Sequence, residues 1–440
     1  MARFVLIGSG LAGGLLAAYL GRRGYEVELY ERRSDPRAGN FVGGRSINLA
    51  LSTRGIHALE QLGIANEVLR HAIPMRGRMI HNKSGTLHFA PYDVDPSKCI
   101  NSIGRAALNT SVIEAALRYP GVRVHFNHKC TDVDLESGRV YLLDLSTHQP
   151  ISSSGEAIIG VDGAFSAVRQ SMQEKLDRFD YDESYLAHGY KELTIPPGSN
   201  NEWQMEKNAL HIWPRKSFMM IALPNPDGSF TCTLFWQFKG PRSFETVTAD
   251  EDIGRFFAEE FPDAISLMPT LLEDFRHNPT GSLVTIRCAP WSYKDKVAIL
   301  GDAAHAVVPF YGQGMNAAFE DCVVLDECLA RFPEDRKRAF AEYFAQRKPN
   351  TDALADLAVQ NFIEMRDKTA LRTFRAKKKL DHFLEAALPR TYLPLYTMVT
   401  FTRIPYKEAA RRARRQDMWI YATLVAISAI LITLVFYYLV

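Results

Sequence analysis

The pattern of hydrophobic and polar positions at the start of the chain predicts a strand, a turn, a helix and a second strand. Phe4–Ile7 is a run of β-forming residues that leads directly into a cluster of glycines. Leu11–Leu20 is helix-forming, with small residues on the side that would meet a sheet, and Val27–Glu31 returns to a strand pattern. This order is typical of a βαβ unit.

Further along the chain, helical and strand patterns alternate until strands become dominant. The predicted elements are a helix around Gly55–Leu62, a helix over 105–118, a strand at Val122–Phe126, strands within 139–161, a β-rich segment from about 185 to 240, a strand at 297–300 and mostly helix from 316 to 385. The shift toward strands indicates a second, sheet-based domain. The strand at 297–300 then returns the chain to the first domain.

The end of the chain has a different pattern. Residues 418–440 carry no formal charge over 23 positions, a length of roughly 34 Å as a helix, which is enough to cross a bilayer core. Aromatic residues lie at both edges of this run, and arginines precede it: Trp419, Tyr421, Tyr437 and Tyr438, and Arg411, Arg412, Arg414 and Arg415. We predict one transmembrane helix with the rest of the chain on the cytosolic side; the alternative is a buried core helix.

Composition excludes some classes of function. The chain has 440 residues, 47% hydrophobic and 23% charged, with a net charge of +2 and no basic stripe typical of a nucleic-acid binder. The six cysteines form no CxxC pair, so neither a disulfide framework nor a zinc site is expected, and we predict no metal.

The glycine cluster after the first strand has the spacing of a dinucleotide-binding turn. Gly8 permits the tight turn, Gly10 lets a pyrophosphate approach the backbone, and Gly13 lets the helix pack on the sheet. Leu11 and Ala12 open the helix, and Glu31 ends the second strand where a ribose-binding acid belongs. The pattern predicts dinucleotide binding but leaves FAD and NAD open. The alternative is an ordinary glycine-rich turn.

Two further motifs narrow the choice. Val161–Ala164 places Asp-Gly after a strand, a sequence that alone is also compatible with a simple turn. Gly301–His305 would deliver Asp302 to the edge of the sheet, where its carboxylate can accept a hydrogen bond from a ribityl hydroxyl. In the following segment 309–316, the Gly312-Gln313-Gly314 turn opens a helix whose free N–H groups would point at a flavin ring.

These three motifs, in this order, resemble the single-component flavin aromatic hydroxylases. Five segments are similar to the kynurenine-hydroxylating members of that family: 45–52, 74–81, 188–198, 211–224 and 392–401. The resemblance covers about residues 3–408. It implies an α/β fold with a Rossmann-like FAD-binding domain over 1–180 and 291–335, a β-sheet substrate domain over 181–290, C-terminal helices over 336–410 and the transmembrane helix at 418–440.

The same resemblance assigns expected roles to individual residues. Besides the motif residues, it implies that Ala12, Tyr30, Arg32, Ala50, Arg105, Cys130, Ala167, Gly314, Met315 and Asn316 contact FAD, with Arg105 at the phosphates. It implies that Arg78 and Tyr92 hold a kynurenine carboxylate, that Asn361 and Tyr396 complete the amino-acid end of the pocket, and that Phe310, Met220 and either Phe235 or Phe238 line the aromatic end.

The resemblance also implies a reaction. L-kynurenine binds, NADPH visits transiently as the reductant of permanently bound FAD, and O2 is activated as a flavin hydroperoxide that hydroxylates the ring next to its amine. No catalytic base is identified; Gln313 is a candidate for positioning the flavin and the peroxide. For members with such a tail, the implied location is the mitochondrial outer membrane in a eukaryote. The alternatives are a flavin hydroxylase of another aromatic acid or phenol, and a membrane-anchored flavoprotein without oxygenase activity.

Overall fold

The computed structural model describes residues 2–38, 48–93, 95–368, 372–388 and 391–439. The first three residues of the segment 45–52 therefore lie outside the described residues. The strands are β1 Arg3–Ile7, β2 Glu26–Tyr30, β3 Asn48–Leu51, β4 Ile73–Met75, β5 Gly77–His81, β6 Leu87–Pro91, β7 Ile100–Gly104, β8 Val122–His125, β9 His128–Asp134, β10 Arg139–Asp144, β11 Pro150–Ser154, β12 Ala157–Gly160, β13 Asp180–Ile195, β14 Ala209–Pro214, β15 Met219–Pro224, β16 Phe230–Gln237, β17 Gly281–Ala289, β18 Ser292–Tyr293 and β19 Val297–Ile299.

Helices pack against the two large sheets, whose strand orders are given below, and make up most of the last third of the chain. They are α1 Leu11–Arg22, α2 Thr53–Gln61, α3 Ala65–Leu69, α4 Arg105–Leu117, α5 Ala167–Lys175, α6 Asp250–Glu260, α7 Leu271–His277, α8 Asp302–His305, α9 Gly314–Arg331, α10 Arg336–Ile363, α11 Arg372–Ala387, α12 Leu395–Thr400 and α13 Tyr406–Leu439. The predicted βαβ opening is β1–α1–β2.

The first large sheet has the order β18-β19-β12-β1-β2-β8, and all of its neighbours except β18 and β19 are parallel. Parallel strands buried on both faces read as continuous apolar runs, which explains the unbroken pattern of β1. Helices α1, α4 and α9 pack together beside this sheet. Gly14 permits the close contact between α1 and α4, since a Cβ atom there would lie 2.8 Å from Val112 Cγ2.

The second large sheet has the order β17-β13-β16-β15-β14-β5-β6 and is antiparallel except where β14 pairs with β5. One of its faces packs on α6 and α7 through a core rich in aromatic side chains, including Trp213, Trp236 and Phe256. Its other face turns toward α10 and α12. Strands β5 and β6 come from the segment between β4 and β7, so this sheet is assembled from distant parts of the chain.

The α/β fold class predicted from the sequence is confirmed. The described part of the chain also holds one helix, α13, with a stretch long and apolar enough to cross a membrane, at Tyr406–Thr433. The apolar part of this stretch is not covered by the rest of the protein. The helix begins before the arginines, so the apolar run continues an element that is already packed against α10 and α12.

Candidate active site

The carboxyl ends of four parallel strands meet at one edge of the first sheet. Ile7 pairs with Tyr30 on one side and with Gly160 on the other, and Gly160 pairs with Ile299. The residues that follow these strands are therefore neighbours, although they are up to about 300 positions apart in sequence. Ligands of open α/β sheets bind at this edge.

The three glycines of the first turn differ in what surrounds them. Gly8 has φ +103°, and a Cβ atom there would lie 2.7 Å from Asp162 Cα. A Cβ atom at Gly13 would lie 1.9 Å from the Gly8 carbonyl oxygen, whereas one at Gly10 would have no heavy atom within 4 Å. Gly8 and Gly13 thus serve the turn and its packing, and Gly10 leaves open space at the start of α1, where a phosphate can approach.

Three carboxylates lie at this edge of the sheet and differ in their hydrogen bonds and their exposure. Glu31 accepts hydrogen bonds from Ser9 N at 2.8 Å and from Arg33 N at 2.9 Å, which fixes its orientation and leaves lone pairs for a hydroxyl donor. Asp162 accepts a hydrogen bond from Ala167 N at 2.7 Å, and within the described residues its buried Oδ1 has no partner. Burial raises the pKa of Asp162 above its usual value. Asp302, the first residue of α8, is exposed to the cavity.

A cavity of about 780 Å³ runs from this edge toward the second sheet. That volume is in the range of cofactor and substrate sites. The predicted residues that line it are Gly8, Gly10, Leu11, Ala12, Tyr30, Glu31, Arg32, Ala50, Arg105, Cys130, Ala167, Asp302, Gly314 and Met315 on the dinucleotide side, and Arg78, Tyr92, Phe310 and Tyr396 on the other. The structure thus brings residues from both large sheets and the C-terminal helices into one space.

The side chains of two polar residues predicted at the site, Gln313 and Asn316, form hydrogen bonds to other parts of the protein and do not line the cavity. Gln313 donates to Ser52 Oγ at 3.1 Å and accepts from Tyr406 Oη at 3.1 Å. Asn316 accepts from Ser52 N and donates to the carbonyls of Ala50 and Gly312. These bonds tie the turn before α9 to the end of β3, so the geometry disfavours the peroxide-positioning role considered for the Gln313 side chain and direct flavin contact by the Asn316 side chain.

Asn361 behaves in a similar way at the substrate end. Its amide donates to the Phe310 carbonyl at 2.6 Å and contacts Met365 Sδ at 3.4 Å, and the residue does not line the cavity. Direct contact between Asn361 and a substrate is therefore not supported. Asn361 instead fixes the segment that carries Phe310, which does line the cavity.

Arg78 and two tyrosines form a polar corner at the far end of the cavity. The Arg78 guanidinium lies 4.7 Å from the Tyr396 ring centroid and 5.7 Å from that of Tyr92, and the two rings stack with centroids 5.5 Å apart. Arg78 Nε and the Tyr92 hydroxyl are buried, and neither has a hydrogen-bond partner in the part of the chain that the structure describes. Buried donors of this kind are costly unless a ligand accepts their hydrogen bonds. The corner is therefore suited to bind a carboxylate.

The walls between the two ends are apolar. Phe235 and Phe310 face each other with centroids 4.9 Å apart, and both line the cavity. Met219 lines it, whereas the predicted Met220 lies in the aromatic core on the other side of the sheet, because successive strand residues face opposite ways. Phe238 lies outside the cavity, against Phe244.

Sequence reasoning missed several other wall residues, namely Met75, Leu210, Met219, Ile221, Leu223 and Thr233. The members from β15 share an alternating spacing, which is the signal that would have found them. It becomes usable only when the cavity face of the strand is known.

A buried network of charged side chains lies behind the dinucleotide edge. Arg347 pairs with Glu320 and Asp321 at 2.6 Å each, and His305 Nε2 contacts Asp321 Oδ2 at 2.5 Å. Although burial opposes it, the charges of His305 and Arg347 hold the pKa of Asp321 below its usual value. Arg54 joins the network through Glu320 at 3.3 Å. His305 Nε2 is thus engaged by Asp321 inside the protein, which is typical of a structural histidine.

Comparison with known proteins identifies the relatives of this chain. A family model described as an FAD binding domain matches residues 2–358. Kynurenine 3-monooxygenases of Myxococcus xanthus and Salinispora arenicola are 48% and 47% identical, each over 94% of this chain and over 88% and 91% of the relative. A tetrameric form of 2-methyl-3-hydroxypyridine-5-carboxylic acid oxygenase has a similar fold, with a TM-score of 0.68, 21% identity, and coverage of 89% of this chain and 98% of its own. The chain therefore belongs to the kynurenine 3-monooxygenase family of FAD-dependent monooxygenases.

Proposed function

We propose that the protein hydroxylates L-kynurenine at ring position 3, with FAD as its resident cofactor, NADPH as reductant and O2 as oxygen source. One oxygen atom replaces the ring hydrogen as a hydroxyl group, the other leaves as water, and NADPH is oxidised to NADP⁺ with uptake of one proton. The observation that carries this proposal is the corner formed by Arg78, Tyr92 and Tyr396, in the same cavity as a dinucleotide-binding edge.

The residues at the edge of the first sheet fit FAD. The open space at Gly10 and the N-terminus of α1 suit the pyrophosphate, the oriented carboxylate of Glu31 suits a ribose hydroxyl, and exposed Asp302 suits the ribityl chain. Arg105, exposed at the start of α4 and facing the cavity, adds a positive charge for the phosphates. Bound FAD supplies the redox chemistry, namely acceptance of hydride from NADPH and activation of O2.

The helix that begins at Gly314 points its free N–H groups at the middle of the cavity. This positive end of the helix dipole would stabilise negative charge on the flavin ring of bound FAD. The hydrogen bonds of Gln313 and Asn316 hold the turn in place and act on the cofactor only through that turn. Gly312, Gly314 and Met315 of this turn and helix start line the cavity.

The far end of the cavity positions the substrate. Arg78 binds the kynurenine carboxylate and Tyr92 donates a further hydrogen bond to it, while Phe235 and Phe310 hold the aromatic ring between apolar surfaces. The ring amine of kynurenine already activates the neighbouring carbon. The protein's contribution is therefore to position the ring and to exclude water, and it needs no strong side-chain base.

The apolar stretch of α13 anchors the enzyme in a membrane, with the body of the protein on the cytosolic side. Its length and composition support this assignment, as do the exposed apolar side chains of the stretch and the arginines before it. The residues that line the cavity all precede this apolar stretch in the chain. The stretch therefore sets the location of the enzyme and takes no part in the chemistry.

An assay of the full-length enzyme with L-kynurenine and NADPH tests the proposal. We expect kynurenine to stimulate NADPH oxidation and the product to gain one oxygen atom by mass spectrometry, with ¹⁸O incorporated from ¹⁸O2. Phenol and salicylate serve as comparison substrates, because neither carries an amino-acid group for Arg78. The proposal would be overturned by NADPH oxidation without oxygenated kynurenine, or by faster turnover of a comparison substrate.

A further inference from the structure

At the C-terminal end of helix α11, the described side chains have a polarity that is reversed relative to a helix on the surface of a water-soluble protein. Its outer face carries Phe383, which is 66% exposed, and Leu388, just beyond the helix end, is 52% exposed. Ala386 and Ala387 are exposed beside them. Its inner face carries Asp381 and Glu385, which are only 7% and 4% exposed. An amphipathic surface helix places its charged residues outward and its apolar residues inward. The outer face of α11 does the opposite and is poorly suited to contact with water.

A polar contact fixes this orientation. Tyr392 donates a hydrogen bond to Asp381 Oδ1 at 2.5 Å. Glu385, on the same face, lies near Asp93, which pairs with Lys98 at 2.7 Å. A rotation of the helix that buried Phe383 would break the hydrogen bond between Tyr392 and Asp381 and would turn both acidic side chains outward. The outward position of the apolar face is therefore a property of the packed structure.

The same helix lies at the base of the apolar stretch of α13. Lys377 pairs with Asp417 at 3.0 Å, and Arg412 donates to the Thr391 carbonyl at 3.3 Å. Lys377 of α11 and Thr391, which follows the helix, thus both contact α13 within residues 412–417. The contacts lie directly before the uncharged run begins.

We propose that the outer face of α11, formed by Phe383, Ala386, Ala387 and Leu388, lies in the interfacial region of an anionic bilayer beside the transmembrane part of α13. This inference rests on the proposed membrane span and extends it. A helix that contacts a membrane-spanning helix at its cytosolic end lies close to the membrane surface, where its apolar side chains can enter the acyl boundary. Lys377 and the arginines of α13 lie at the same level, where they meet anionic headgroups.

The proposed contact places the substrate pocket next to the membrane surface. Asp93, which interacts with Glu385 of α11, is adjacent in sequence to Tyr92 of the pocket, and Thr397 of α12 donates to Asp93 at 3.3 Å. Tyr396, beside Thr397, lines the cavity. Helix α11 thus connects the proposed membrane contact to residues next to the pocket.

Nitroxide labels on the full-length enzyme test this arrangement. Phe383→Cys and Leu388→Cys report on the proposed face, Ile430→Cys reports on the transmembrane stretch, and Tyr141→Cys in β10 is an exposed aqueous control. All four variants carry Cys99→Ser, since the other native cysteines are buried. The proteins are reconstituted in vesicles of phosphatidylcholine and phosphatidylglycerol, and bound flavin absorbance verifies that each variant is folded.

Accessibility to oxygen and to a water-soluble nickel chelate gives the result. We expect labels at 383 and 388 to favour oxygen, as the label at 430 does, but at shallower depth, and the label at 141 to favour the nickel chelate. A label at 430 in lipid with labels at 383 and 388 in water would overturn this inference while leaving the membrane span intact. A label at 430 in water would overturn the span itself. Labels at 383 and 388 shielded from both reagents would indicate a protein contact, such as a second copy, and would also overturn the inference.

Discussion

At the scale of single residues, Arg78 carries most of the information about the substrate. Its guanidinium lies in the wall of the cavity against two tyrosine rings, and its Nε and the neighbouring Tyr92 hydroxyl have no hydrogen-bond partner among the described residues. A desolvated cation with unmet donors destabilises the protein unless a ligand compensates for it. The arrangement is therefore explained by a substrate that brings a carboxylate, as an amino acid does and a simple phenol does not.

Replacement of Arg78 tests this explanation. Loss of a charge-assisted hydrogen bond of about 1.5–3 kcal/mol predicts that Arg78→Ala raises the KM for kynurenine roughly 10- to 100-fold. The KM of Arg78→Lys should lie between that of Arg78→Ala and that of the parent enzyme, because an ammonium group cannot bind the carboxylate in a bidentate way. Arg76→Ala, an exposed arginine two positions earlier, is the matched control and should leave KM unchanged. Steady-state kinetics would contradict the substrate pose if Arg78→Ala had the KM of the parent enzyme.

Glu385 predicts a pH dependence of stability. Burial and the nearby Asp93 carboxylate raise its pKa from 4.5 to about 6. The folded state thus holds this proton more tightly than the unfolded state, so stability is highest below the unfolded pKa and falls as pH rises through about 6. The difference of about 1.5 pKa units corresponds to about 2 kcal/mol at neutral pH.

Glu385→Gln removes this penalty. We expect the variant to be more stable than the parent protein by up to about 2 kcal/mol at pH 7.5, with the gain roughly halved or smaller at pH 5. Urea denaturation at the two pH values measures the difference. Glu202→Gln, at an exposed position, is the control and should show no gain at either pH. A gain for Glu385→Gln that is equal at both pH values would show that titration of this group is not its cause.

The polar residues of the site show what the sequence could not predict at this scale. The motifs predicted Gln313 and Asn316 at the site and the family resemblance predicted Asn361, but the side chains of all three form hydrogen bonds within the protein and do not line the cavity. The hydrogen-bond partners of Gln313 are Ser52 and Tyr406, which are 261 and 93 positions away. The orientation of an amide depends on such distant partners, and a local motif does not contain them.

At the scale of elements, the alternation of side chains along a strand likewise did not show which residues face the cavity. The sequence predicted a β-rich segment from about 185 to 240, which contains β14, β15 and β16. The expectation of Met220 in the pocket selected the wrong face of β15. Met219, Ile221 and Leu223 line the cavity, and Met220 packs in the aromatic core. Both faces of this strand are apolar because the sheet is covered on both sides. The pattern alone therefore could not tell which face meets the cavity.

The connection between α12 and α13 is held by one buried arginine of α2. Arg54 donates to the carbonyls of Val399, Thr402 and Ile404 and pairs with Glu320. We predict that Arg54→Met detaches this connection and lowers the free energy of unfolding by about 3–5 kcal/mol, because Glu320 and the carbonyls lose a buried partner. Limited proteolysis of the connection and thermal unfolding measure the effect.

The matched control for Arg54 lies on the connection itself. Arg403→Met removes an equally large cation from an exposed position and should change neither measurement. If the Arg54→Met protein resisted proteolysis as well as the parent protein does, the connection would be held by its apolar contacts alone.

At the scale of the whole molecule, the sequence predicted the architecture better than its assembly. The motif spacing and the strand–helix order identified the parallel sheet and its edge, since both are written in local patterns. The second sheet was predicted only in part, because β5 and β6 come from residues within 1–180 and join β14 through a long-range parallel pairing. The limits of the domains stay a prediction, and the cavity between the sheets arises from contacts that no single segment specifies.

Shortened chains separate the role of the membrane helix from that of the segment before it. Removal of residues 418–440 leaves Tyr396, Tyr406 and the Arg54 contacts in place, so we expect a chain that ends at Asp417 to keep its kcat and KM for kynurenine. It should lose tight membrane attachment, because an interfacial face such as that of α11 binds more weakly than a membrane-spanning helix. A fractionation and activity assay measures both properties.

A chain that ends at Arg390 should behave differently, because it also lacks α12 and the start of α13. The cavity loses Tyr396, the buried guanidinium of Arg54 loses its carbonyl acceptors, and Gln313 loses the hydroxyl of Tyr406. We expect loss of kynurenine-stimulated NADPH oxidation together with lower thermal stability. Bound-flavin absorbance distinguishes a folded but inactive chain from an unfolded one. Full activity in this shorter chain would show that the cavity does not need its C-terminal wall, and the substrate pose at Tyr396 would then be wrong.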